Sequence, residues 1–346
     1  MKTGKFLLLI AFLFTGAVAL AQDFDNPAKY NEYINKMLDN VSKKYLSYNS
    51  AMAHGKNGRK IDKQRTKLMD EVQESRMNIS GLPSYNGDKA FRDSAVSFLK
   101  LYFNVLNEDY SKIVNMEEIA EQSYDLMEAY LLAQEKVDEK MQEASGKMQQ
   151  AQKNFAALNN MTLTTNSNDE LSLMMKEVGE TNEYYHKAYL IFFKSNKQDL
   201  YLMEAVQKGD LNAIEQNKNA LISTSKEGID KITALGAFKG DNSLVSACKA
   251  LLTFYSKVAN EKVTGMTDFY LKKDKFETLK KEMDKKNNRT QQDIDAYNKA
   301  VNDFNAAAGV FNNVNKAVAE NHNDLLKDWD QAVNSFMAEH TPKYKN

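Results

Sequence analysis

Leu82-Pro83-Ser84-Tyr85-Asn86-Gly87-Asp88 returns in altered form about 153 residues later, as Leu235-Gly236-Ala237-Phe238-Lys239-Gly240-Asp241. Leucine, an aromatic, glycine and aspartate hold the same places. Each copy closes one apolar helical pattern and opens another. Glycine at 87 and 240 admits a positive φ that other residues reach only at a cost. Aspartate at 88 and 241 is placed to cap the helix that follows, and the aromatic at 85 and 238 is expected to plug the end of a bundle. A phosphate-binding loop is a poor reading of these turns, because one glycine recurs rather than several and no basic residue recurs with it.

The likeness extends away from the turn. Phe98-Leu99-Lys100-Leu101-Tyr102 lies over Leu251-Leu252-Thr253-Phe254-Tyr255, and Val105, Asn107 and Glu108 lie over Val258, Asn260 and Glu261. Leu158-Asn159-Asn160-Met161 lies over Phe311-Asn312-Asn313-Val314. Near the unit ends the offset drifts by two, as with Asn31-Glu32-Tyr33 against Asn182-Glu183-Tyr184. A repeat of this length reads as a duplicated domain rather than a solenoid module. The expected division is a signal peptide at 1–21, helical unit 1 at 22–180 and helical unit 2 at 181–346.

Only three prolines occur, at 27, 83 and 342, so the chain between 84 and 341 contains none. Proline breaks helix interiors, and good helix formers are abundant here. The expected fold is all-α: two tandem helical bundles with long, coiled-coil-like helices, elongated. Helices are expected at about 28–53, 60–80, 88–111, 113–161 and 169–208, then at 211–234, 241–263 and 265–320, with a last one from Asp324. From Ile113 to Leu158 a 3-4 spacing runs without a slip through positions that are apolar or small except at Gln134, the mark of coiled-coil packing. A helix of that length would measure about 70 Å. In the second unit the register is interrupted at Lys273, Lys280 and Asn287, and 285–290 predicts a kink or break. The helix at 169–208 carries Tyr184, Tyr185, Tyr189, Leu190, Ile191, Phe192 and Phe193, apolar nearly all round. Such a helix is buried on all sides and bridges the two units; the other reading is an exposed aromatic patch for a partner.

The first residues have the form of a secretory signal: Lys2 and Lys5, an apolar run from Phe6 to Leu20, and small residues at Ala19 and Ala21. Nothing later is apolar and long enough to span a bilayer. Cys248 is the single cysteine, so an internal disulfide is excluded and stability must come from the core. The formal charge is −1, and removing Lys2 and Lys5 makes it more negative by two. Charges of both signs are interleaved, which argues against a nucleic-acid face.

The search for chemistry returns little. Bundles hold metals with two Glu-x-x-His pairs and further glutamates, and this chain has one such pair, Glu183 and His186, where the first unit has Glu32 and Asn35. His54, His322 and His340 fall in or near predicted loops or helix ends. Neither a zinc-protease motif, nor a nucleophile elbow, nor a phosphate-binding loop is present. No catalytic, cofactor-binding or metal-ligating residue is assigned, and no cofactor is expected.

With the signal ending Ala19-Leu20-Ala21-Gln22, the paired turns and the long Met-, Tyr- and Asn-rich helices, the chain resembles a family of exported, all-helical surface proteins of unknown function found in bacteroidetes and spirochaetes. The resemblance implies export to the periplasm, cell surface or medium. It carries no catalytic residues over. The expected role is non-enzymatic binding or spacing, with a protein or envelope component as partner. The runner-up is an envelope carrier or enzyme holding a metal or small ligand inside a bundle at Glu183 and His186.

Overall fold

The computed structural model describes residues 24, 26–55, 58–113, 124–163 and 170–345. The expected signal at 1–21, the stretch 114–123 of the expected long helix and the expected loop positions 164–168 lie outside them. The described residues form nine α-helices and no strand: α1 Pro27–His54, α2 Gly58–Ser80, α3 Ala90–Ile113, α4 Tyr124–Leu158, α5 Glu170–Lys208, α6 Leu211–Leu235, α7 Ser243–Lys257, α8 Val263–Lys285 and α9 Gln291–His340. A single π-helical turn, Val258–Lys262, joins α7 to α8.

The helices bury two separate apolar cores. In the first, α1 contributes Tyr30, Ile34 and Val41, α2 contributes Leu68, Val72 and Ile79, α3 contributes Phe91, Ala95 and Leu99, and α4 contributes Ala151 and Phe155. These positions recur every three or four residues, so each helix presents one stripe. On α4 the seam narrows as expected: Met141, Ala144 and Met148 are half-buried. Its last position, Leu158, leaves the core and is 72% exposed. The second core is built from α5 to α9, with Met127 of α4 reaching into it. Here α5 buries Tyr184, Ala188, Phe192, Phe193 and Leu202, which favours the buried reading of its aromatic cluster over the exposed one. Trp329 of α9 stacks on Phe192 with ring centroids 4.6 Å apart, so it too is a core residue.

The two turns have one geometry. Tyr85 and Asp88 exchange both backbone hydrogen bonds, at 3.0 and 2.9 Å, and Phe238 and Asp241 do the same at 2.9 and 2.8 Å. The central residues have positive φ in both: Asn86 at 48° and Gly87 at 82°, Lys239 at 48° and Gly240 at 93°. This is the hairpin turn that demands left-handed backbone at both centres. Asp88 Oδ1 accepts from Ala90 N at 2.8 Å, and Asp241 Oδ1 accepts from Ser243 N at 2.7 Å, capping α3 and α7. Each turn is also tied to the helix that opens its core. Tyr30 Oη donates to the Pro83 carbonyl at 3.0 Å, and Tyr184 Oη donates to the Gly236 carbonyl at 2.5 Å. Above each bond three rings close the bundle end: Tyr30, Tyr85 and Phe155 in one, Tyr184, Phe238 and Phe336 in the other.

Two expectations are corrected and a third is narrowed. The helices placed at 241–263 and 265–320 are not separate at their junction; the π turn carries the backbone through as one rod from Ser243 to Lys285. Of the kink or break expected at 285–290 the structure has the break, and the chain reverses across it. Beyond it α9 runs back antiparallel to α8, with Phe276 stacked on Phe304 at 5.2 Å and Phe269 on Phe311 at 4.5 Å. The new helix starts where Thr290 and Asp293 form a reciprocal capping box, with the Lys286 ammonium on Asp293 at 2.5 Å. Nor does a helix begin at Asp324, because α9 runs unbroken from Gln291 to His340. Where the hairpin leaves the core, Tyr270 Oη donates to the Val206 carbonyl. Gly209 fits beneath that ring only because it has no Cβ, which would lie 2.6 Å from Tyr270 Cε1. Beyond this contact, from 271 to 299, no residue is buried.

The turn geometry makes a direct prediction. Gly87→Ala and Gly240→Ala should each lower the unfolding free energy by about 1–2 kcal/mol, the cost of a Cβ in left-handed backbone, as read from urea midpoints at constant slope.

Candidate functional site

The pair singled out in the sequence is not assembled. Glu183 Oε1 is engaged by the Lys187 ammonium at 2.6 Å. His186 lies at an exposed position of α5, its ring 5.8 Å from that of Tyr185. Among the described residues the one group of three His, Cys, Asp or Glu side chains with converging donor atoms lies elsewhere, at Asp241, Glu339 and His340.

That group sits at the plugged end of the second core. Its three donor atoms lie within 4.8 Å of one another. His340 Nε2 is 2.9 Å from Asp241 Oδ2, and the ring packs edge-on to Phe238 at 5.1 Å. Burial works to raise the Asp241 carboxyl, but hydrogen bonds from the Ser243 backbone and from the His340 and Ser243 side chains outweigh it and hold the group below its ordinary value. One nitrogen and two carboxylates suit a borderline divalent ion such as zinc. The same end of the molecule is strapped to α1 of the first core: His54 Nε2 lies 2.9 Å from the Thr341 carbonyl, and Tyr344 N donates to Ser50 Oγ at 3.0 Å. Thr181 Oγ1 of α5 donates to the His340 carbonyl at 3.0 Å.

A second polar cluster lies inside the second core. Asp199 of α5 is 0% exposed. His322 Nδ1 of α9 is 3.3 Å from Asp199 Oδ2. On the other side of the imidazole, Nε2 is 3.2 Å from Tyr255 Oη of α7, and that hydroxyl donates to Asn196 Oδ1 at 2.8 Å. Three helices therefore meet on one chain of polar groups. Burial pushes the Asp199 carboxyl up to about 7 and pushes the His322 imidazole down. Tyr255 is raised, by burial first and then by Asp199 and Cys248. His322, expected near a helix end, is in mid-helix and largely buried; the error came from starting a new helix at Asp324. A signal was present all the same, because Ser195, Asn196 and Asp199 interrupt the stripe that Phe192 and Leu202 define at helical spacing.

A shallower cavity of about 370 Å³ opens where α5 and α6 meet the start of α4. Leu190, Ile191 and Leu235 line its floor, and Lys187, Lys194, Glu227 and Lys231 surround it. Its charges are mutually engaged: Glu227 takes Lys194 at 3.0 Å and Lys231 at 2.5 Å. Cys248 is buried in the second core. No described helix is long and apolar enough to cross a membrane. The chain matches no protein-family model, no curated protein and no solved structure.

Burial raises the Cys248 thiol to about 12, and the thiolate is the reactive form. A disulfide reagent at pH 8 should therefore label the native protein only as fast as it unfolds, and label the urea-unfolded chain at once. Fast labelling of the native protein would contradict the packing described.

Proposed function

We propose that this chain is an exported, non-enzymatic helical protein of the cell envelope or surface, built from two tandem copies of one bundle, that acts by binding or spacing. The observation that carries the reading is the α8–α9 hairpin, whose outer part, 271–299, buries nothing in the rest of the chain. Two helices that pack only on one another, through Phe276, Tyr297 and Phe304, form an arm that presents surface rather than a cleft that encloses a substrate. The arm carries eight lysines and Arg289 against six acids, with Lys273 and Lys286 paired to Glu277 and Asp293, and this charged surface suits contact with a protein or envelope component.

Duplication is supported by the paired turns and by the element starts. The pairs α2 and α6, at Gly58 and Leu211, and α3 and α7, at Ala90 and Ser243, both stand 153 residues apart. It is supported as well by the tyrosine that hydrogen-bonds to each turn and the three rings that close each end. Export is supported by the residues at 1–21. On this reading the chain works in the periplasm, on the cell surface or in the medium.

Asp241, Glu339 and His340 favour a second reading, a carrier of a metal ion, in place of the site at Glu183 and His186. Native mass spectrometry of the protein purified from its own host separates the two. The expected mass is that of residues 22–346 without addition. A stoichiometric extra mass that is lost on denaturation, and absent from His340→Ala, would establish the carrier. Turnover of a substrate that disappears on changing one polar cluster would overturn the non-enzymatic reading.

A further inference from the structure

The hydrogen atoms of the buried cluster can be assigned one by one. The Tyr255 hydroxyl spends its proton on Asn196 Oδ1, so its oxygen faces His322 Nε2 as an acceptor and Nε2 must carry a hydrogen. In a neutral ring the other nitrogen, Nδ1, is then a bare lone pair. It points at Asp199 Oδ2 from 3.3 Å. Neither Asp199 oxygen has a hydrogen-bond partner, and the residue is 0% exposed. A bare nitrogen facing a bare carboxylate in a dry core is repulsive and leaves a net charge unpaired, which proteins avoid. One proton between the two atoms removes both faults.

We propose that Asp199 and His322 form a proton-binding site, in which a single shared proton seats α9 on α5 and its release near neutral pH loosens that contact. The surroundings make the pair the dominant titrating unit. From α7 the group in contact with it is Tyr255, and Cys248 acts on that tyrosine from the same helix; both are raised by burial. Lys197 of α5 is buried as well, but two residues along a helix is about 200° around it, and its ammonium lies over the Tyr201 ring at 5.7 Å. The buried residues of α6, the π turn and α8 include no titratable side chain. The π turn begins three residues after Tyr255, and such turns recur at functional positions. What α9 carries gives the site reach, since its C-terminal end bears His340 and the strap to α1.

The direction follows from proton counting. An unfolded pair keeps one proton up to an ordinary histidine value of about 6.5, whereas the folded pair keeps it to about 7 through the raised Asp199. The folded state therefore holds more proton in that window, and the contact weakens as pH rises through it. Below the window both states hold one proton, and pH has little leverage until the depressed His322 would be forced to take a second.

Carbon and nitrogen NMR of the labelled full chain tests the site directly. The Asp199 carboxyl carbon should titrate between pH 6 and 8, and His322 should hold its hydrogen on Nε2 throughout. Amide exchange over 318–326, corrected for its intrinsic pH dependence, should quicken between pH 6 and 8.5. Asp199→Asn should abolish that dependence. A carboxyl carbon that titrates in the ordinary acidic range overturns the proposal, as does an Asp199→Asn protein that keeps the alkaline loss. If the variant fails to fold, the wild-type titration alone decides.

Discussion

A helix with aromatic side chains on nearly every face can be stable only between other helices. That constraint falls on α5, which buries Tyr184, Phe192 and Phe193 at different angles around its axis. Burying one such ring is worth about 2–3 kcal/mol, so α5 recruits α6, α7 and α9 around itself. At the same time α1 lies near enough for the C-terminal strap to bridge them through Ser50, His54 and Thr181. The two cores are separate clusters, and α4 reaches into both. At the C-terminal end hydrogen bonds of Ser50 and His54 of α1 and of Thr181 of α5 with the backbone of 340–344 join them as well.

Much of the fold was legible because helices announce themselves locally. Asn26 before Pro27, the Gly-Asp pairs at 87–88 and 240–241, and Gly209 before Asp210 each set a boundary through backbone chemistry that needs no distant partner. The failures are of one kind, a change of direction or register inside an unbroken helical pattern. Nothing in the run from Leu251 to Met266 distinguishes a π turn from an ordinary one, since the difference is one residue of hydrogen-bond spacing. The reversal at 285–290 was legible in part. The polar run was read as a break, whereas the Thr290 and Asp293 box that starts a new helix was overlooked.

The polar clusters were out of reach for a different reason. Asp241 and His340 are 99 residues apart, and Tyr255 and His322 are 67 apart. Their meeting depends on the antiparallel return of α9, which one chain read alone does not specify. Spacing rules find ligands that share a helix, as with Glu183 and His186, and that pair is the one the fold leaves apart. Here the chemistry-bearing residues sit on different helices and are brought together by the reversal, so the misplaced helix start at Asp324 hid His322 in particular.

The unbroken length of α9 has a mechanical consequence. Its fifty residues make a rod of about 75 Å. Its first turns lie in the arm, its middle is gripped by the second core through Val318 and Trp329, and its far end is tied to α1 through Thr341. A stiff rod gripped in the middle is a lever. A load on the arm's tip at 286–290 is passed through the grip to the strap, with no break in the helix along the way to absorb it.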